Sequence, residues 1–226
     1  EDIWVSRVPV PITGAVRGPL SDSFDDMDPG GVVRGWNIHR GLWAGAAVER
    51  LGGGNCLVLR DRDPYAQASA ERVFPESRRV RVGFRLMTCG AAGGRLYVEV
   101  CGADGMPPVQ LVLRGDGTLC RLDHGAPLPF FTGSPHAWID VRIEIDVDRQ
   151  RYVVATGGEQ IAAPFVVPVG AVERLVIRTG PRSREPTYET SMGQPDLPGA
   201  DMPVDEAVFA VDRVSTSDHV LLEDGR

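Results

Sequence analysis

The stretch Ala137-Trp138-Ile139-Asp140-Val141-Arg142-Ile143-Glu144-Ile145-Asp146-Val147 alternates without a break. Ile139, Val141, Ile143, Ile145 and Val147 occupy every second position. Trp138, Asp140, Arg142, Glu144 and Asp146 fill the positions between. Successive side chains of a β-strand point to opposite faces, so this pattern predicts a strand with one face in a core and the other in solvent. Asp148–Gln150 then turns the chain into Arg151–Thr156, and Gly157-Gly158 turns it again into Gln160–Val167.

The same reading extends outward in both directions. Upstream, Val80, Val82, Phe84 and Leu86 alternate with Arg79, Arg81, Gly83 and Arg85 within Arg78–Met87. Gly90–Gly94 is read as the hairpin turn into Arg95–Cys101. Gly115-Asp116-Gly117 joins Val109–Arg114 to Thr118–Leu122, as short Gly-containing hairpin loops do. Further segments are Ile3–Val8, Ser21–Phe24, Trp43–Leu51 with Cys56–Arg60, Ala68–Phe74, Val172–Arg178 and Asp205–Ser217. Pro181–Pro203 is read as a long polar loop. Helical periodicity is nearly absent. Many short strands at turn-marked intervals predict an all-β fold: a two-sheet antiparallel β-sandwich of jelly-roll, concanavalin A-like type. The expected divisions are residues 1–19 as a linker or terminal strand of a preceding domain, 20–217 as the sandwich, and 218–226 as a tail.

Composition narrows the chemistry. The 226 residues are 42% hydrophobic and 24% charged, enough to bury a core. The net charge is −7, which argues against nucleic acid as a partner. All 24 basic residues are Arg, so a phosphate-loop lysine, a Schiff base and a lysine general base are excluded. No apolar run reaches the length of a membrane helix, and no membrane partner is expected. The chain opens at Glu1 without a visible signal peptide, and is read as a mature or partial form. Cys56, Cys89, Cys101 and Cys120 fit no zinc or redox spacing. They are read as buried thiols on strands, with the three possible disulfide pairings left open.

Three constellations are candidates for chemistry. Glu144, Asp146 and Asp148 fall on one strand face, with the spacing of the ExDxE strand of jelly-roll β-glucanases, where two carboxylates act as nucleophile and acid. The alternative is a structural hairpin with Asp148 as a turn residue. The second is a polar sheet face of Arg81, Arg85, Tyr97, Glu99, Trp138, Arg142 and Glu144. Aromatic rings stack on sugars, and Arg and Glu bond to hydroxyls or carboxylates, so this face is a candidate for binding carbohydrate. Its alternative is a solvated face with cross-strand ion pairs. The third is Asp22, Asp25, Asp26 and Asp28 with Asp212. Pairing of the first and last strands would bring Asp25 near Asp212, a candidate Ca²⁺ site of hard oxygen ligands, or else an ordinary acidic turn.

The opening Asp2-Ile3-Trp4-Val5-Ser6 resembles the last strand of the Asp-box β-propeller in secreted bacterial sialidase-like proteins. Asp22-Ser23-Phe24-Asp25-Asp26, Gly35-Trp36, Trp138–Tyr152 and Phe209–Val214 resemble the concanavalin A-like or laminin-G-like sandwich that follows it. The resemblance implies a non-catalytic accessory or carbohydrate-binding module, secreted or periplasmic, with a propeller upstream. No Asp-box is present, so any sialidase-type catalytic centre would lie outside this chain, in a parent glycoside hydrolase. Two other readings stay open: a jelly-roll glycoside hydrolase using Glu144 and Asp148, and a purely structural domain packed on a propeller.

Overall fold

The computed structural model describes residues 18–51, 53–90, 93–180 and 202–218. The segment Ile3–Val8, residues 181–201 of the polar loop and residues 219–226 of the tail lie outside them. Among the described residues there is no helix, and fifteen strands form two antiparallel sheets packed face to face. The strands are β1 (Ser21–Asp22), β2 (Asn37–His39), β3 (Ala44–Leu51), β4 (Gly54–Asp61), β5 (Ser69–Ser77), β6 (Arg79–Thr88), β7 (Arg95–Cys101) and β8 (Val109–Arg114). They continue as β9 (Thr118–Asp123), β10 (Ala126–Thr132), β11 (Ile139–Asp146), β12 (Arg151–Thr156), β13 (Glu159–Pro164), β14 (Val172–Thr179) and β15 (Ala207–Asp218). The first sheet runs β13-β12-β11-β6-β15-β4-β3, with β1 also on β15. The second runs β10-β9-β8-β7-β14-β5-β2.

The predicted apolar face of β11 is the buried one: Ile139, Val141, Ile143, Ile145 and Val147 all lie in the core. There they join Val82, Phe84 and Leu86 of β6 and meet Leu96, Val98, Leu111, Leu175 and Ile177 of the opposite sheet. The register of β11 on β6 is continuous from Ile139↔Leu86 to Asp146↔Arg79. Every second residue of both strands is thereby forced outward together.

One connection departs from the expectation. The Gly90–Gly94 turn does not fold β6 back on itself as a hairpin. It carries the chain across to the other sheet, so β6 and β7 are not neighbours. The glycines are needed for close passage: a Cβ at Gly90 would meet Val208 N at 2.9 Å, and one at Gly94 would meet Ala207 Cβ at 2.5 Å. Strand β10 has no counterpart among the segments read from the sequence, and it contains Pro127 and Pro129. It is an edge strand with a register shift between Pro129 and Phe131, the setting in which proline is tolerated. All four cysteines are free thiols, three buried and Cys89 half-buried. Burial pushes the Cys56 thiol up to about 12, so it is no nucleophile at neutral pH.

Strand β15 carries a bulge. Asp212 pairs with Arg85, but the next residue in register is Ser215 opposite Gly83. Phe209 and Val211 point inward before it, and Val214 and Thr216 after it, which puts both Asp212 and Arg213 on the outer face, Asp212 covered by its neighbours and Arg213 exposed. Arg213 takes φ = 52°, a left-handed conformation.

Ile143 is fully buried at the centre of this arrangement. Ile143→Ala should lower stability by ~2–5 kcal/mol through the cavity it leaves. Urea unfolding would measure this, and a loss below ~1 kcal/mol would contradict the packing described.

Candidate functional site

Forced outward alternation makes the outer face of the first sheet a mosaic of charged and apolar rows. Toward one end, Trp138 packs on a cluster of Cys56, Val58, Met87, Val208 and Ala210. The Arg85 guanidinium lies 4.4 Å from the Trp138 ring centroid, a cation–π contact. The same guanidinium holds the buried Asp212 carboxylate, with Nε donating to Oδ2 at 2.9 Å. Asp212 Oδ1 accepts from the Arg213 backbone N–H at 2.7 Å, which supports the bulge. Further along, Arg81 Nη2 donates to Glu144 Oε1 at 2.9 Å across β6 and β11.

Between these two pairs lies a cleft of about 490 Å³. Gly83, Ala155 and Ser215 give it a low floor, and Asp140, Arg142, Gln160 and Arg213 stand around it. Arg213 makes no ion pair among the described residues. Arg142 comes only within 3.8 Å of Glu144, whose carboxylate Arg81 already engages. Asp140 and Glu159 also line the cleft, but neither is paired with these two guanidinium groups, which can therefore receive an acidic or polyhydroxylated ligand.

The expected binding residues are therefore only partly brought together. Arg81, Arg85, Trp138, Arg142 and Glu144 share the outer face of the first sheet. Tyr97 and Glu99 do not: β7 belongs to the second sheet, because the chain crosses over at Gly90–Gly94. There Tyr97 is buried beneath Arg178, 4.3 Å from its ring centroid, and Glu99 takes a two-pronged bond from Arg178. Trp138 is also no open stacking platform, since Arg85 covers one side. Of the expected set, Arg142 alone lines the cleft. Arg213, Gln160 and Ser215 were missed. The signal for Arg213 was the break in alternation between Val211 and Val214.

The glucanase-type reading loses its acid. Asp148 sits in the turn after β11, where Arg78 Nε donates to it at 2.9 Å and Arg79 Nη2 lies 3.1 Å away. The bond from Arg78, more than any other influence, holds this carboxyl below its usual range. A glycosidase acid needs the opposite displacement. The acidic turn is likewise committed to local structure. Asp22 accepts from Trp36 Nε1 and Arg72 Nε, Asp25 from the Asn55 N–H, and Asp26 pairs with Arg34. Strands β1 and β15 do pair, as expected, but Asp212 is taken by Arg85 rather than joined to Asp25. Among the described residues no group of three or more His, Cys, Asp or Glu is arranged to hold a metal, so the Asp25–Asp212 Ca²⁺ site has no such cluster.

An antiparallel two-sheet sandwich with a polar cleft on one outer face defines a lectin-like class of domain. A family model described as "Sialidase-like, CBM domain" matches residues 36–194, well over half of the chain, and the chain belongs to that family of carbohydrate-binding accessory modules. Among solved structures it is similar to a sialidase at 26% identity and a TM-score of 0.83, covering 94% of this chain and 19% of that one. It thus spans about a fifth of the sialidase it matches. The fold is shared with the Emp47p carbohydrate recognition domain (11% identity, TM-score 0.56, 88% of this chain and 95% of that one). It is shared too with a non-specific endo-β-1,3(4)-glucanase (13%, TM-score 0.58, 88% and 90%). No curated protein matches the chain in sequence.

Two outcomes follow from this geometry. The left-handed backbone at Arg213 costs about 1–3 kcal/mol for a residue with a Cβ. Arg213→Gly should equal or exceed the parent in stability, by up to ~1 kcal/mol after the extra chain entropy of glycine. A clear loss in urea unfolding would show that the side chain, not the conformation, dominates there. Asp148, with its proton affinity depressed in the fold, contributes stability that is present above its ordinary range and lost as pH falls through its folded value. The melting temperatures of parent and Asp148→Asn should therefore differ at neutral pH and converge in acid.

Proposed function

We propose that this chain is the glycan-binding accessory module of a larger secreted, sialidase-like protein, and that its ligand enters the Arg142–Arg213 cleft. The observation that carries the reading is the pair of outward arginines above a floor of Gly83 and Ala155: Arg213 makes no ion pair among the described residues, and Arg142 comes only within 3.8 Å of a carboxylate that Arg81 already engages. Such a pair recognises a sugar bearing a carboxylate, since charge-assisted guanidinium bonds are stronger than neutral ones. Similarity to a sialidase supports an acidic sugar. The small share of that chain covered supports a larger parent. The resemblance of the opening segment supports a β-propeller upstream. On this reading the module spans 20–217 and brings a catalytic domain to its substrate without cleaving it. The paired states of Glu144 and Asp148 support a non-catalytic role.

Native affinity electrophoresis in gels containing polysialic acid tests the proposal. The parent chain should be retarded. Arg142→Ala and Arg213→Ala should each weaken retention about tenfold, as loss of one charge-assisted bond does. Unchanged mobility of both variants would overturn the assignment. So would hydrolysis of a glycan by the chain that Glu144→Gln abolishes, which would restore the enzyme reading.

A further inference from the structure

A second hollow lies on the same outer face, at the free edge of the first sheet. It measures about 440 Å³ and runs along β3, lined by Arg40, Trp43, Gly45, Ala47, Val58 and Arg60. Trp43 stands at its head with 38% of its surface exposed, beside Leu42 at 75%. Gly45 and Ala47 are the outward residues of β3, opposite Arg60 and Val58 of β4. The hollow exists because these two positions lack bulk.

Nothing in the fold requires glycine at position 45. Its backbone is not in the left-handed region, and an added Cβ would meet only Arg40 carbons at 3.9 Å, an ordinary contact. Glycine inside a strand weakens it, and its usual reasons are a bulge, a tight bend or the close approach of a ligand or another backbone; β3 pairs with β4 in unbroken register, so no bulge accounts for it here. The free edge is also closed to a further strand. Val48 O accepts from the Gly30 N–H at 2.8 Å, and Ala46 O from Arg40 Nη2 at 3.4 Å. These caps remove the acceptors an added strand would use.

The charges here differ from those of the arginine cleft. Arg60 makes a two-pronged bond to Glu49 at 2.9 and 2.8 Å and reaches Glu206 at 3.2 Å. The charge of that guanidinium is met by two carboxylates, which leaves it little pull on an anionic ligand, and its bond to Glu49 holds that carboxyl below its usual range. The hollow thus offers an aromatic platform, a small apolar floor and a polar wall in which the two cations Arg40 and Arg60 stand against the two carboxylates Glu49 and Glu206, with no net charge. Carboxylate oxygens keep a second lone pair, so the wall still offers acceptors to hydroxyl groups.

We propose that this groove is a second saccharide subsite, taking an uncharged pyranose stacked on Trp43. The proposal rests on the reading of the chain as a glycan binder, but not on the arginine cleft. From β3 to β11 are four strand spacings, about 19 Å at ~4.8 Å each. Substitution at Arg142 is therefore too far from the groove to act on it directly, although the cleft itself extends to Arg213 on β15, two strands from β3.

The test uses the full chain in gels containing neutral β-glucan, galactan or mannan, in parallel with polysialic acid. At least one neutral gel should retard the parent. Trp43→Ala and Gly45→Leu, the latter filling the groove without straining the backbone, should each lower that retention about tenfold. Arg142→Ala should leave it unchanged. Tryptophan emission should shift when the retained polysaccharide is added, and the shift should vanish in Trp43→Ala. The Gly45→Leu melting temperature should not fall below the parent's, which separates filling from unfolding. Equal retention of parent and both groove variants overturns the subsite. Retention by polysialic acid alone also overturns it and leaves the arginine cleft standing. Retention by a neutral gel alone, lost in the groove variants, upholds the subsite and removes the cleft.

Discussion

The Arg85–Asp212 pair sits where strand β15 changes phase, and the outer face of the first sheet is organised around it. Asp212 is buried, so its charge has to be met by a donor close by. Arg85 meets it from the neighbouring strand and also lies over the Trp138 ring. The other carboxylate oxygen takes the backbone N–H of Arg213, at the left-handed residue. One ion pair therefore fixes three things: the β6–β15 register before the bulge, the position of Trp138, and the turn that throws Arg213 outward. Without the bulge, strict alternation from Val211 would place Arg213 in the core and Val214 outside.

The same pair explains why apparently similar residues have different roles. Arg81, Arg85 and Arg142 alternate outward on adjacent strands, and nothing local distinguishes them. Arg85 is satisfied by Asp212 and Arg81 by Glu144, so both serve cross-strand cohesion. Arg142 is left with a third-party contact at 3.8 Å. The bulge adds Arg213 beside it without adding a carboxylate. With no lysine in the chain, every cation on this face is a planar, forked guanidinium, suited to paired bonds with a carboxylate group.

The fold was legible because period-2 alternation depends on local sequence alone. The face of β11, the β8–β9 hairpin at Gly115–Gly117 and the β12–β13 hairpin at Gly157-Gly158 all follow from it. The candidate site was less legible because it depends on which strands become neighbours. Reading Gly90–Gly94 as a hairpin placed Tyr97 and Glu99 beside Arg85. The crossing to the other sheet puts a whole core between them. Alternation states that Trp138 points outward but not that Arg85 covers it. Trp43 was read only as the start of a strand, since its exposure follows from the small residues beyond it and from its place at the sheet edge.

The two outer faces of the sandwich are not equivalent, and the proposed binding sites both fall on the first sheet. On the second sheet, Tyr97, Val112 and Leu122 form a buried cluster, with Cys101, Cys120, Glu99 and Arg178 buried around it. Gln110 donates to Glu99, and Arg178 also donates to Gly180 O, so the polar groups there are spent internally. On the first sheet the corresponding positions include Gly83, Ala155, Gly45 and Ala47, each leaving a hollow in place of a side chain. Arg142, Arg213 and Trp43 stand at the margins of those hollows, exposed to solvent. Exposed cations and aromatic rings beside unfilled space have binding energy still to gain, whereas a face whose groups already satisfy one another has little.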